Sequence, residues 1–373
     1  MSTNGSRVLV IGPHGVTGSA IADRLGASTE WELSTASRRS GVHRLSNGSA
    51  RAQHVSVDLL DAAASRAAFV NLGRVTHLVY AAYLDRPTMA EATGPNVAML
   101  ENALDALRAA GAPLQRVVLI GGGKSYGEHL GPYKTPAKES DPRHLGPIFY
   151  NDQEDLLADR ARTAGFTWTV LRPDVVIGFS TGSPMNLLTS IAVFAALSKD
   201  AGVPLRFPGS GQAWTALHQF TDAELLASAT QWALTSQSTS NEIFNITNGD
   251  LFRWQHLWPD IAQAFDMPTA PPQPMNLVEQ MAEVGGPLIS QSWISRRIPK
   301  TGFYQGGSVD RGLQLIEYRV GNVIGRCAEA RDSNGFADVQ WGQVVPDPDN
   351  GSPWFRVSGD VVLAGHGASR AVA

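Results

Sequence analysis

Cysteine is nearly missing from this chain. Cys327 stands alone among 373 residues, so no disulfide can close within it. A chain that holds itself together without disulfides suits a reducing compartment, and a cytoplasmic location is the expectation. No apolar run is long enough to cross a bilayer, and the opening Met1-Ser2-Thr3-Asn4-Gly5-Ser6-Arg7 carries no apolar signal core. Neither sign of charge dominates. The formal net charge of −4 gives no electrostatic reason to expect nucleic acid or an acidic membrane as partner. Nine histidines are present, but no pair has zinc-ligand spacing with an acid nearby, so no metal site is expected. A tyrosine followed four residues later by lysine is also missing, since none of the seven tyrosines has one. At the best-placed of them, Tyr150, that position holds Glu154.

What is present alternates. Arg7 to Ile11 is a β-branched run ending in glycine and reads as a buried strand. Gly15 to Leu25 follows with helical spacing of Val16, Ala20, Ile21 and Leu25. Further strands are expected at Trp31 to Ala36, Gln53 to Val57, Val75 to Ala81, Arg116 to Ile120 and Phe166 to Leu171. Helices are expected over Asn96 to Ala110 and from about Ile148 to Ala164. Strands alternating with helices imply an α/β fold, a Rossmann-type doubly wound parallel sheet. Beyond Pro173 the rhythm changes to apolar helices, at Asn186 to Leu197, Thr221 to Leu234 and Phe252 to Phe265, with short strands such as Glu242 to Ile246 between them. The expected organisation is a nucleotide-binding domain over 1–175, to which 216–250 returns, and a smaller C-terminal substrate lobe over 176–215 and 251–287. The divergent tail over 288–373 is rich in Gly, Ser, Arg and Asp, and loses helical periodicity.

The segment Gly12-Pro13-His14-Gly15-Val16-Thr17-Gly18 lies between a strand and a helix. Gly12 and Gly15 can take backbone angles closed to other residues and leave room for a pyrophosphate, and Gly18 permits close helix–sheet packing. The helix start offers free N–H groups to the phosphates. A glycine triplet is weak evidence alone and strong in this context, so a dinucleotide cofactor is expected. Ser37, Arg38 and Arg39 follow the second strand, where an NAD enzyme places an acid. Two arginines there suit a 2′-phosphate and argue for NADP(H); the alternative is a solvated basic pair. Asp58 and Leu59 end the third strand, where a side chain meets the adenine, or where Asp58 caps a helix starting at Leu59.

The N-terminal half resembles extended short-chain dehydrogenase/reductases. A closer resemblance, over about residues 7 to 284, is to the progesterone 5β-reductase and iridoid synthase family of NADPH-dependent enone reductases. It is carried by Ala36-Ser37-Arg38-Arg39, Val75-Thr76-His77, Gly122-Gly123-Lys124-Ser125-Tyr126 and Phe149-Tyr150-Asn151-Asp152-Gln153-Glu154-Asp155. Thr167 to Pro173, Ile177-Gly178-Phe179-Ser180, Met185-Asn186-Leu187, Phe244 to Asp250 and Phe252-Arg253-Trp254 extend it. The resemblance implies that Tyr150 and Lys124 form the catalytic pair. It places Ala81, Ala82 and Tyr83 near the cofactor ribose, and Pro173 and Val176 by the nicotinamide. Met185, Asn186, Phe207 and Trp214 are candidates for a largely apolar substrate pocket, with ordinary lobe packing as the blander reading.

The chemistry of the pair also follows from its charges. A lysine at i+4 would lower the phenol pKa, whereas a negative Glu154 would raise it. A neutral tyrosine donates a hydrogen bond, which suits holding an enone oxygen while hydride reaches the β-carbon. The expected activity is therefore NADPH-dependent 1,4-reduction of an α,β-unsaturated carbonyl compound, with a small hydrophobic carbonyl substrate as partner and a homodimer left open. The alternatives are carbonyl reduction or sugar-nucleotide epimerisation on the same fold, or an NADPH-sensing protein without chemistry. Three departures from the family pattern touch cofactor geometry: His14 in the glycine loop, Gly121 beside the lysine segment, and Asp174 to Val176 after Pro173. The unmatched tail is a fourth.

Overall fold

The computed structural model describes residues 6–39, 52–178, 180, 186–276, 343–346, 353–357 and 361–364. They fall into two compact units. One lies within Met1–Val176, Thr221–Asn248 and Gln340–Ala373, the other within Ile177–Phe220 and Gly249–Val339.

The first unit is built on strands β1 (Ser6–Ile11), β2 (Trp31–Ser37), β3 (Gln53–Ser56), β4 (His77–Tyr80), β5 (Arg116–Ile120) and β6 (Thr167–Pro173), with an edge strand at Glu242–Ile246. All seven pair in parallel, in the order Glu242–Ile246, β6, β5, β4, β1, β2, β3. Both faces are buried, and the period-two geometry of a strand divides its residues between two cores. Leu9, Ile11, Leu78, Tyr80, Val117 and Leu119 point to one face, with α2 (Ala62–Phe69), α3 (Met89–Ala109) and α4 (Phe149–Ala164). Val8, Val10, Val79, Val118 and Leu171 point to the other, with α1 (Val16–Ala27) and the helix Ala223–Thr235. The Rossmann-type doubly wound fold expected from the sequence is present.

The largest boundary difference is at α3, which starts at Met89 rather than Asn96. Pro95 lies inside it and reads as a break in the sequence. The start is fixed by Thr88 as N-cap: its hydroxyl accepts from the Glu91 amide at 3.2 Å and donates to the Glu91 carboxylate at 3.0 Å. At α2 the cap is Asp61, which accepts from the amides of Ala63 and Ala64. Asp58 is thus not the helix cap; its carboxylate instead accepts from the Leu60 amide at 3.0 Å.

Arg116 is buried and ties the sheet to the helix Ala223–Thr235. It donates to the Ala233 carbonyl at 2.8 Å and to Thr239 Oγ1 at 3.1 Å, placing a cation at that helix's carboxyl end. The second unit has its own core, where Ile191 and Ala195 of the helix Leu187–Asp200 pack with Leu257, Trp258 and Ile261 of the helix Trp254–Ala264. In the tail, strands Gln343–Pro346, Pro353–Val357 and Val361–Ala364 form an antiparallel sheet in that order, where periodicity alone suggested none. Among the described residues no helix is long and apolar enough to cross a membrane.

His77 on β4 is buried edge-on to the Trp31 ring at 4.9 Å. Burial, and then the charge of Arg116, hold its pKa down to about 4. The folded state therefore binds this proton later than the unfolded chain does. Its contribution is complete above the unfolded value near 6.5 and is lost as pH falls toward 4. Urea unfolding between pH 7 and 4 is expected to show stability falling by up to about 1.4 kcal/mol per pH unit from this group. In His77→Gln that part of the slope should vanish.

Candidate active site

The site begins where strand order turns. β1 has β2 on one side and β4 on the other, so the chain winds away in both directions and leaves a crevice at the strands' carboxyl ends. Gly12 ends β1 with φ +87°, and a Cβ there would lie 2.7 Å from the Ala81 carbonyl oxygen after β4. Gly18 meets the loop from the helix side, and its Cβ would stand 2.1 Å from the Gly12 carbonyl. No other residue fits either position. Gly15 is different: its φ is −83°, an angle open to any residue. The sequence reading gave Gly12 and Gly15 the same conformational role, and the backbone corrects this. Gly15 contributes space, since a Cβ there would meet only the Gly12 carbonyl, at 3.7 Å.

Gly15 is also the N-cap of α1, and it supplies no side-chain hydrogen bond; the first turn, from Val16, contains no acid. The helix start therefore presents uncapped amides beside a cleared surface. These residues fit a dinucleotide pyrophosphate on polar and steric grounds. His14 lies in the same loop, with its ring 5.5 Å edge-on from that of His54 on β3. The His54 ring bonds Thr35 Oγ1 and the Arg39 carbonyl, both at 2.9 Å. Ser37 Oγ accepts from the Arg39 amide at 3.2 Å, and Ser56 Oγ donates to the Arg38 carbonyl at 3.3 Å. The backbone carrying the two arginines is thus pinned to β3 while both residues stay exposed. Asp58 is exposed and Leu59 buried at the end of the same strand. The Leu59 carbonyl accepts from Asn102 Nδ2 at 2.7 Å.

Ala81, Ala82 and Tyr83 leave β4 half-buried. Buried Asn96 holds this loop by bonding both the amide and the carbonyl of Leu84 at 2.8 Å. The Tyr83 ring lies 5.4 Å from Phe149, which lies 4.2 Å from Tyr150. Lys124 sits in a short 3-10 turn, Gly123–Tyr126, directly after β5. The Tyr150 phenol lies against Gly122, in the segment that leads into Lys124. A Cβ at Gly122 would be 3.1 Å from Cε2 and 3.3 Å from the hydroxyl of Tyr150, so the phenol rests on the backbone two residues before Lys124. Pro173 is buried at the end of β6, and Val176 is half-buried and packs on the core that holds α1.

The role given to Glu154 needs correction. It is 2% exposed, and Arg172, 3% exposed, grips it with two hydrogen bonds of 2.9 and 2.7 Å. Arg143 adds a third at 3.2 Å. The Tyr150 pKa is raised, in the direction expected, but by burial first and then by Tyr83 and Glu128. The carboxylate that bears on the phenol is Glu128, four residues after Lys124, which the sequence reading missed. It lies against Gly123, where a Cβ would be 2.4 Å from its Oε2. Burial, and then Asp174, push its pKa up to about 7 against the opposing charge of Lys124. Nothing in its spacing distinguishes it in the sequence. Tyr126, part of the same motif, is structural: it donates to Asn245 Oδ1 at 2.7 Å and accepts from Arg172 at 3.0 Å. Tyr83 donates to Asp85 at 2.8 Å, and burial with that bond pushes its pKa to about 12.

Of the substrate candidates, Met185 lies outside the described residues. Asn186 is buried and donates to the Gly178 carbonyl at 3.1 Å. Phe207 is buried in the aromatic core of the second unit, with Trp214, Trp254 and Trp258 at 5.1, 5.5 and 5.2 Å. For Phe207 and Trp214 the structure shows this lobe packing.

Comparison with known proteins gives four findings. Residues 34–283 match the model of the PRISE-like Rossmann-fold domain family. An (S)-8-oxocitronellyl enol synthase from Camptotheca acuminata is 35% identical over 295 residues, covering 75% of each chain. A 3-oxo-Delta(4,5)-steroid 5-beta-reductase from Arabidopsis thaliana is 33% identical over 273 residues, covering 70% of this chain and 69% of its own. Among solved structures, the UDP-glucose 4-epimerase of Thermus thermophilus, complexed with NAD, superposes with a TM-score of 0.57 at 21% identity, covering 84% of this chain and 99% of its own. That likeness concerns the fold.

Arg172→Met would leave Glu154 buried and short of its main partner. A loss of about 3–5 kcal/mol in urea unfolding is expected. A loss below about 1 kcal/mol, the size of a surface pair, would show the carboxylate to be solvated instead.

Proposed function

The chain belongs to the PRISE-like Rossmann-fold domain family, and from that premise we propose that it is an NADPH-dependent reductase of α,β-unsaturated carbonyl compounds, with Tyr150 and Lys124 as its catalytic residues. The observation that carries the proposal is the seating of the Tyr150 phenol on Gly122, two residues before Lys124, in a unit whose glycine loop fits a dinucleotide. The names of the two relatives, an enol synthase and a 3-oxo-Delta(4,5)-steroid 5-beta-reductase, support the reaction class.

Bound NADPH supplies hydride to the β-carbon of the substrate. The rest falls to side chains. Tyr150 stays protonated because burial raises its pKa, so it donates to the carbonyl oxygen at which negative charge accumulates. Lys124, which follows the backbone on which the phenol rests, adds positive charge toward that oxygen. Arg172 and Arg143 neutralise Glu154, which would otherwise oppose that charge. The α-carbon then takes a proton from solvent or a side chain. Arg38 and Arg39 would hold the 2′-phosphate of the cofactor through charged hydrogen bonds.

Tyr150→Phe is expected to lower enone turnover by about 10²–10³-fold, the usual cost of an oxyanion donor, and Lys124→Met to lower it as well. Both should bind NADPH nearly as the parent does in a fluorescence titration. Unchanged turnover in both would overturn the assignment. Removing both arginines with Arg38→Ala and Arg39→Ala should weaken NADPH binding about tenfold or more and leave NADH binding unaffected.

A further inference from the structure

Two consecutive glycines after β5 each carry a visiting side chain. The Tyr150 ring covers Gly122, and the Glu128 carboxylate covers Gly123 at a distance that admits no Cβ. Lys124 follows immediately. A phenol and a carboxyl therefore rest on two successive backbone units, and the lysine is the residue that follows them. Glu128 is held there by the left-handed Gly127, whose φ of +85° turns the chain back after Tyr126. The mechanism above uses the first and third of these groups and leaves the second without a role.

Resting on the reading of Tyr150 and Lys124 as the catalytic pair, we propose that Glu128 is a positioning residue whose ionisation switches the reductase: protonated, it leaves the charge of Lys124 to the substrate oxygen, and ionised, it draws that charge to itself and opposes the enolate. The charge balance favours this direction. Enolate formation places one negative charge on the carbonyl oxygen, and a second negative charge nearby raises the cost of reaching it. Ionised Glu128 is felt at Tyr150, where it disfavours loss of the phenol proton.

Every group facing Glu128 must be counted. Lys124, from its own turn, favours ionisation, and Asp174, after β6, opposes it. Tyr133 carries no charge in this range, because burial raises its pKa, with Asp174 and Glu128 adding to the rise. Tyr150 on α4 is neutral for the reason already given. Two histidines lie next to this turn: His129 follows Glu128 in the chain, and His144 packs against Gly127, where a Cβ would be 3.2 Å from its Nδ1. Their rings approach edge-on at 6.3 Å, and His129 is held below its ordinary pKa by burial, Lys124 and His144. With Glu128 titrating at about 7, the carboxyl changes charge near neutrality.

The test is the pH profile of kcat for an enone with saturating NADPH in the full-length protein, from pH 5.5 to 9, for the parent, Glu128→Gln and Glu128→Asp. The parent should lose turnover as pH rises through about 7. Glu128→Gln should lack that descending limb and exceed the parent by about tenfold at pH 8.5, and Glu128→Asp should restore a limb. A profile in Glu128→Gln identical to the parent's would overturn the switch. If Glu128→Gln does not fold, Glu128→Met serves in its place. A structural role alone would change kcat equally at all pH values and would also count against the proposal. Tyr150→Phe and Lys124→Met, run alongside, separate the two levels. If they depress turnover and the Glu128 profile does not move, only the switch fails; if they leave turnover unchanged, the catalytic assignment fails first.

Discussion

The buried pairing of Glu154 with Arg172 is the constraint on which the site depends. Glu154 is one helical turn from Tyr150, and a free negative charge there would face the phenol. Arg172 on β6 takes both carboxylate oxygens and so turns this acid into a tie between α4 and the sheet. Its other amine reaches Tyr126, whose hydroxyl reaches Asn245 on the edge strand. One continuous network thus fixes the helix that carries Tyr150, the turn that carries Lys124, and the two strands beneath them. A buried ion pair is a weak net contributor to stability, but breaking it is costly, and that asymmetry suits a device that fixes position.

The same turn shows how steric allowance and electrostatics are linked. Gly122 and Gly123 have no side chains, so a ring and a carboxyl approach the backbone that leads into Lys124. Burial then favours the neutral forms of both visitors. The site therefore obtains a neutral hydrogen-bond donor without the i+4 lysine whose absence is plain in the sequence.

Much of the framework was legible. Val8, Val10 and their alternating partners announce a strand buried on both faces, and Gly12 and Gly18 announce a tight strand-to-helix turn. The resemblance through the lysine and Phe-Tyr segments singled out Lys124 and Tyr150 as a pair. Less was legible where one residue can serve two purposes. Pro95 obscured the first turns of α3, although Thr88 marks its N-cap. Asp58 and Asp61 are both plausible caps by type, and only the backbone assigns the role to Asp61. Gly15 has the residue type of a conformational glycine and the φ of an ordinary residue.

The order of residues along the chain determined the alternation of strands and helices, the glycine loop and the missing Tyr-x-x-x-Lys pair, because each is a local pattern set by backbone geometry and side-chain periodicity. Tertiary structure decided which carboxylate meets the phenol. Glu154, near Tyr150 along the helix, is claimed by Arg172, while Glu128, distant from Tyr150 in the chain, bears on it. Electrostatic influence depends on separation in space and on burial, and neither can be counted in residues.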